Sequence, residues 1–385
     1  MVPAAQRNSA SSSQPAWRTI LRVLFLLFVF LVGVRGLGTG FKELGGDLLK
    51  HFFTATSNPF IGLIIGILGT TLVQSSSVST SLIVALVAAP ENPLPVADAI
   101  PMIMGANIGT TVTNTIVSLG HIGQPEEFRR AFAAATCHDF FNFIAVAVLL
   151  PLELTTGYLR HLSGELSSLL AGQAGTKFPN PLKDTTNLVL QPLHQLLQWL
   201  VGSQRVAAIL LIMLSVAAIF GMLYLLVRTL RTLMATRMES YLTRSLGFSP
   251  HLGIIVGVVV TVMVQSSSIT TSVLVPLAGA GLVSLYQVFP ITLGANIGTT
   301  ITALLASLAA PPETAAVAIQ VALAHLLFNI SGILLMYPLP AARAVPIRLA
   351  EWLARIAVGS RRYALFYVFG LFYGLPALLI VLSRL

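Results

Sequence analysis

Charge is what this sequence has least of. Of its 385 residues, 9% are charged and 55% are apolar, and a chain of that size has too little polar surface to cover itself as a water-soluble globule. It must face lipid. Cysteine is scarcer still: the single Cys137 lies in an apolar stretch, so neither a disulfide framework nor a thiolate metal cluster can be built within one chain. Acidic residues number 13 against 22 basic ones, a formal net charge of +9. The basic residues cluster beside long apolar runs, which is the pattern of membrane orientation; a nucleic-acid surface would need a folded basic face with aromatic interleaving.

What is present is apolar length. Trp17 to about Leu37 is long enough to cross ~30 Å of hydrocarbon, and Arg18 and Arg22 stand at its start. The run exceeds a typical signal-peptide core and no Ala-x-Ala-like cleavage site follows, so a retained first transmembrane helix is expected over 17–38, after a disordered cytoplasmic segment at 1–16. Further runs near Phe140–Leu159, Val206–Val227, Val317–Tyr337 and Tyr363–Leu382 read as ordinary spanning helices. Pro59–Ser118 and His251–Leu308 are different, because Gly, Ser, Thr and Asn interrupt their apolar runs. Bare backbone at membrane depth is tolerated only inside protein or beside a water-filled cavity, so these regions line the interior.

Four Arg clusters set the sides: Arg7, Arg18 and Arg22; Arg129 and Arg130; Arg228, Arg231, Arg237 and Arg244; and Arg343, Arg348, Arg355, Arg361 and Arg362. All four are assigned to the cytoplasm. The stretch 159–204 then reads as the main external loop, 205–244 as a linking span with a cytoplasmic segment, 342–362 as an amphipathic helix on the inner surface, and 363–385 as a final span. The expected location is the cytoplasmic (inner) membrane of a bacterial-type cell, crossed many times.

The sequence repeats itself in three blocks. Gln74-Ser-Ser-Ser77 recurs as Gln265-Ser-Ser-Ser268, Gly105-Ala-Asn-Ile-Gly-Thr-Thr111 as Gly294-Ala-Asn-Ile-Gly-Thr-Thr300, and His138–Asn142 pairs with His325–Asn329. Order and spacing agree, so the fold is expected to be two homologous halves, 39–158 and 245–341. By the Arg assignment they enter from opposite sides. The fold class is therefore an all-α integral membrane protein of two inverted-topology repeats with broken or re-entrant helices. That is the sequence signature of secondary transporters, which bind substrate near the midplane where the halves meet.

The broken segments suit an oxyanion. Gly69–Thr80 reads as helix, turn, helix, and Ser is a favoured N-cap, so the serine cluster opens a short helix whose free N–H groups and positive dipole end point inward. Neither broken region contains Lys or Arg, so a buried anion there needs another counter-charge. Hydroxyls, the Gln74 and Gln265 carboxamides and the Asn107 and Asn296 amides are hard oxygen donors of the kind that hold hard cations. Sodium co-binding follows, and it would couple the two ions because each lowers the cost of burying the other. Asp139 follows His138 where Leu326 follows His325, and an intramembrane carboxylate is expected to act, here as a cation ligand.

Blander readings stand beside these. Small and hydroxylated residues in membrane helices often serve close packing; two identical copies in equivalent places argue for more. His138 and His325 read as bonding to neighbouring helices rather than to a metal. Asp139 could instead pair with His138 or an interfacial Arg, and Glu91 and Asp98 fall in a Pro-rich turn and read as solvated. A serine hydrolase would need a base within reach of one serine and has no use for two serine clusters, while anion pores use Arg or Lys rings that are missing. The chemistry leaves sulfate and arsenate open beside phosphate.

With these motifs the chain resembles the type II sodium-phosphate cotransporter family over about Phe60–Tyr337, apart from the central loop. The resemblance implies phosphate as substrate, placed against Ser75, Ser76, Ser266 and Ser267, and one sodium held by Gln265, Ser266, Thr299 and Thr302. The full set expected around phosphate is Gln74, Ser75, Ser76, Ser77, Asn107, Ser266, Ser267 and Asn296. Around sodium it is Asp139, Gln265, Ser266, Thr299, Thr302, Thr110 and Thr113. Electrogenic members of that family carry an Ala-x-Ala-x-x-x-Asp pattern, matched by Ala133, Ala135 and Asp139, which implies net inward movement of positive charge. The family's animal members have a larger, disulfide-bonded and glycosylated central loop where this chain has a short one without cysteine. Phosphate, sodium and lipid are thus the expected partners, with no enzymatic activity, no cofactor and no nucleic acid.

Overall fold

The computed structural model of the chain describes residues 16–44, 57–90, 93–173, 181–245 and 250–383. Nearly all of the segment 1–16 expected to be disordered lies outside them. The described residues are helical throughout, with no strand among them. The helices are α1 (Ala16–Leu44), α2 (Pro59–Val73), α3 (Ser76–Val87), α4 (Val96–Thr110), α5 (Val112–Ser118), α6 (Pro125–Thr156), α7 (Tyr158–Gln173) and α8 (Pro181–Val201). They continue as α9 (Gln204–Ser245), α10 (Pro250–Val264), α11 (Ser267–Gly279), α12 (Leu285–Ser307), α13 (Ala315–Met336), α14 (Pro340–Gly359) and α15 (Arg361–Leu382).

Among the described residues, six of these are long and apolar enough to cross a membrane: parts or all of α1, α6, α9, α12, α13 and α15. The chain is a multi-pass, all-α membrane protein. By contrast α2, α3, α10 and α11 have 15, 12, 15 and 13 residues, about 18–23 Å each, too short to span. They form two helix–turn–helix hairpins, one in each half.

The motif glycines explain how the hairpins sit. A Cβ on Gly105 would run into the backbone oxygen of Leu63, and one on Gly294 into that of Ile254. So α4 lies backbone to backbone on α2, and α12 on α10 in the same way. Gly105 and Gly109, like Gly294 and Gly298, are four apart on one helix face, the small-residue spacing that lets membrane helices approach closely.

One expectation needs correction. The stretch 159–204, expected to be a loop, carries α7 and α8; in α8 Leu190 and Leu197 recur at helical spacing and form a small core with Ala207 and Leu211 of α9. The stretch 205–244 lies within one continuous helix, the 42-residue α9. In the second half, Gly294–Thr300 lies inside the continuous α12. There Thr299 Oγ1 donates to Ala295 O at 3.0 Å and Thr300 Oγ1 to Ile297 O at 2.7 Å, as Thr110 and Thr111 do to Ala106 O and Ile108 O in the first half. The first-half counterpart of α12 does stop, at Thr111, between α4 and α5.

Two further elements have clear local causes. α14 starts with Pro340 at its first position and ends at Ser360 in extended conformation; Ala350, Ala354 and Ala357 are fully buried, letting it lie along α6. Near its middle, α15 winds as a π-helix over Phe366–Gly374. That segment carries Tyr367 inward.

Candidate functional site

The two Gln-Ser-Ser-Ser turns are built alike. Gln74 and Gln265 are, among the described residues, the non-glycine residues with positive φ, at 54° and 56°. Each closes the preceding helix, Gln74 N–H donating to Thr70 O and Gln265 N–H to Thr261 O, both at 2.7 Å. A left-handed helix cap normally favours Gly, and a glutamine there costs of order 1 kcal/mol, so the side chain is kept at both places against local preference.

The serines that follow are N-caps. Ser75 Oγ accepts from Val78 N at 3.4 Å and Ser266 Oγ from Ile269 N at 3.3 Å. Each oxygen accepts, so each hydroxyl proton is left to donate. The start of any helix also leaves its first N–H groups without intrahelical partners, here on Ser76 and Ser77, and on Ser267 and Ser268. Ser76, Ser77 and Ser267 are buried, while Ser75 and Ser266 are half-buried and Gln74 is exposed. Two positive helix ends and several donors are thus offered without Lys or Arg.

The halves meet at these turns. Ser77 Oγ donates to Thr302 Oγ1 at 3.3 Å, and Thr302 donates on to Gln265 Oε1 at 2.9 Å, while Gln265 Nε2 donates to Val262 O. Three of the expected residues are thereby joined. The equivalent first-half group behaves differently: the buried Thr113 Oγ1 has no partner. Its neighbour Asn114 instead accepts from Thr271 at 2.8 Å and Ser272 at 3.1 Å. Nothing in the sequence singles out Asn114, Thr271 and Ser272, although Asn114 lies just beyond the repeated block.

Of the remaining expected residues, Thr110 bonds back to Ala106 O at 2.7 Å and Thr299 to Ala295 O at 3.0 Å, so both hydroxyls keep a lone pair but not a free proton. Asn107 Nδ2 donates to Ile103 O at 3.1 Å. Asn296 is engaged at both ends, Oδ1 with His138 Nε2 at 2.7 Å and Nδ2 with Asn142 Oδ1 at 2.9 Å. Among the described residues there is no group of three or more His, Cys, Asp or Glu side chains that could hold a metal.

Asp139 is wholly buried and forms a second cluster. Its Oδ2 accepts from Tyr367 OH at 2.8 Å and from Thr115 Oγ1 at 3.2 Å, with Thr111 alongside, while Oδ1 has no partner. Its partners are these hydroxyls, not His138 or an Arg. Glu153, the other buried acid among the described residues, caps α7 through Leu159 N at 2.6 Å. Of these two acids, Asp139 has a buried oxygen without a partner. Sequence alone does not pick out Tyr367, since it is one of several aromatics in an apolar run.

The Na+/Pi-cotransporter family model matches residues 29–167 and 200–345. Sodium-dependent phosphate transport protein 2B of Homo sapiens is 36% identical over 95% of this chain and 65% of its own length. Protein 2A of Mus musculus is 37% identical over 94% of this chain and 67% of its own length, so the chain spans about two thirds of these relatives. No solved structure matches the chain. The family is one of transporters rather than enzymes. The chain belongs to the Na+/Pi-cotransporter family.

Proposed function

We propose that the chain carries inorganic phosphate into the cell together with sodium, by alternating access of two inverted halves around a midplane site. The observation that carries this reading is the pairing of two capped serine turns through Thr302, since two helix N-termini with free hydroxyl protons form an oxyanion cradle. Phosphate sits against Ser75, Ser76, Ser266 and Ser267, with Ser77, Gln74 and Asn107 close by; Asn296 joins when its bonds to His138 and Asn142 open. Sodium is held by Gln265, Ser266, Thr299 and Thr302, and in the other half by Thr110 and Thr113. The mammalian relatives, named for sodium-dependent phosphate transport, support phosphate over other oxyanions.

Asp139 supplies a further sodium site with Thr115 and Tyr367, so one more positive charge enters per phosphate and transport is electrogenic. The membrane is the cytoplasmic membrane of a bacterial-type cell, a reading supported by the short segment between the halves.

The test is uptake of radiolabelled phosphate by proteoliposomes under an inward sodium gradient or an equal potassium gradient. Sodium-driven uptake that Ser75→Ala abolishes is expected. Uptake indifferent to sodium, or sulfate carried in place of phosphate, overturns the reading.

A further inference from the structure

The two halves have the same histidine and asparagines but do not use them in the same way. In the first half His138 Nε2 meets Asn296 Oδ1 at 2.7 Å, Asn296 Nδ2 donates to Asn142 Oδ1 at 2.9 Å, and Asn142 Nδ2 donates to Asn107 O at 3.0 Å. The last acceptor is a backbone carbonyl, which can only accept, and this sets the direction of every bond before it. Asn142 must present its NH2 to Asn107 and its oxygen to Asn296; Asn296 must present its oxygen to His138; His138 must carry its proton on Nε2. Its Nδ1 has no partner.

The repeat generates the mirror set: His325 toward Asn107, Asn107 toward Asn329, Asn329 toward the Asn296 backbone. Helix α13 packs on α4 as α6 packs on α12, so the elements that carry these residues are in contact. Yet both His325 nitrogens and Asn329 Oδ1 are buried without a partner. Asn329 Nδ2 turns to His325 O and Asn107 Nδ2 to Ile103 O.

The threonines break the equivalence in the same sense. Thr302 on α12 joins Ser77 to Gln265, whereas its counterpart Thr113 has no partner. So α12 is held through the side chains of Asn296 and Thr302 and is unbroken, while on α4–α5 the matching side chains of Asn107 and Thr113 make no such bond, and that pair is tied instead through the Asn107 backbone oxygen and Asn114. Buried polar groups without partners are costly, and a protein bears that cost when another conformation pairs them.

We propose that His138 and His325 are positioning residues that engage Asn296 and Asn107 in alternation, so that the two transport conformations differ in which half's Gly-Ala-Asn helix is latched. The released asparagine is the one that faces the substrate, which places Asn107 in the site in the conformation described here and Asn296 in the other. This deepens the symport reading and rests on it for the identity of the substrate, but the latch itself is a statement about conformation.

Two measurements separate the claims. Hydrogen exchange of the full chain in detergent reads the turn peptides 74–79 and 265–270 without any substrate. His138→Phe and His325→Phe shift exchange at these two turns in opposite senses, and the double variant returns toward the parent. His138→Gln and His325→Gln, which place an N–H near the imidazole Nε2, stay close to the parent and show that packing is intact. In proteoliposomes the same pair of Phe variants moves the apparent phosphate KM measured for uptake and for efflux in opposite directions, by about fivefold for one hydrogen bond. A silent His325→Phe, or both Phe variants shifting exchange in the same sense, overturns the latch. Parent protein without sodium-driven phosphate uptake overturns the symport reading alone, because exchange still reports the latch.

Discussion

Tyr367 donates its phenolic hydrogen to Asp139 Oδ2 at 2.8 Å, joining the last helix to the middle of α6. The second carboxylate oxygen has no partner, so the tyrosine orients the acid and leaves one oxygen unpaired, the one assigned to the cation in the proposed function. A hydrogen bond to a charged group contributes about 1.5–3 kcal/mol. Tyr367→Phe is therefore expected to raise the sodium concentration for half-maximal phosphate uptake by about tenfold or more while leaving the charge carried per phosphate unchanged. Flux and current recorded on the same proteoliposomes check this; a reduced charge-to-phosphate ratio would show that Tyr367 does more than orient.

Asp139→Asn acts on the ratio itself. The amide keeps the side chain's shape and can accept from Tyr367 and Thr115, but it has no charge to offset a buried cation. Uptake is expected to persist at a lower rate with one fewer positive charge moved per phosphate. Solid-supported-membrane currents measured alongside isotope flux decide it, and an unchanged ratio would remove Asp139 from the sodium pathway.

The glutamines in left-handed conformation give a prediction in which stability and function part. Gln265→Gly relieves a strained backbone angle, 56° in φ, and is expected to stabilise the turn locally by up to about 1 kcal/mol. It also removes the Oε1 that accepts from Thr302. Thermal unfolding should stay near or slightly below the parent temperature, because the gain at the turn offsets part of the cost of leaving the Thr302 hydroxyl without its acceptor, while sodium-dependent uptake falls severely. A Gly variant that transports normally would mean that the carboxamide is dispensable.

Much of this architecture is legible in the amino-acid sequence, and the residues that are not share a physical cause. The hairpins can be read because Gln-Ser-Ser-Ser interrupts apolar runs twice, and serine at a helix start has one strong local role. The stretch 159–204 reads as a loop because its Gly, Pro and charge suggest a surface connection, while only a few side chains, Leu190 and Leu197 among them, carry its helical spacing. Gly294–Thr300 is rich in glycine and threonine, both weak helix formers, yet is helical where it packs against α10, since burial overrides propensity. Tyr367, Thr115 and Asn114 escape sequence reasoning because their roles depend on partners 228, 24 and 157 residues away, and no local pattern encodes such a contact.

The packing role of the motif glycines can be separated from any role in binding. A methyl at Gly105 would meet backbone atoms of Leu63 and Ile67, whereas one at Gly69, on the partner helix, meets nothing within 4 Å. Gly105→Ala is expected to cost about 1–3 kcal/mol or more by overpacking, and Gly69→Ala to be neutral or to gain about 0.5–1 kcal/mol from helix propensity. Unfolding followed by fluorescence-detected gel filtration after heating ranks the two. Equal behaviour would deny the backbone-to-backbone approach of α2 and α4.

Thr302 and Thr113 are the same residue in the two halves with opposite surroundings. Thr302 lies between Ser77 and Gln265, so Thr302→Val leaves a carboxamide oxygen and a hydroxyl without their partner and should destabilise by about 1–3 kcal/mol. Thr113→Val removes a buried hydroxyl that has no partner and should be neutral or slightly stabilising, since an isosteric apolar group ends an unmet demand. Transport reads differently from stability: if the halves exchange roles during the cycle, Thr113 acquires the bonds that Thr302 now makes, and both variants slow sodium-driven uptake. Chemical denaturation and uptake measured side by side test the pair. A Thr113→Val protein that is as stable as the parent and also transports as fast would show that the asymmetry seen here is permanent rather than one setting of a cycle.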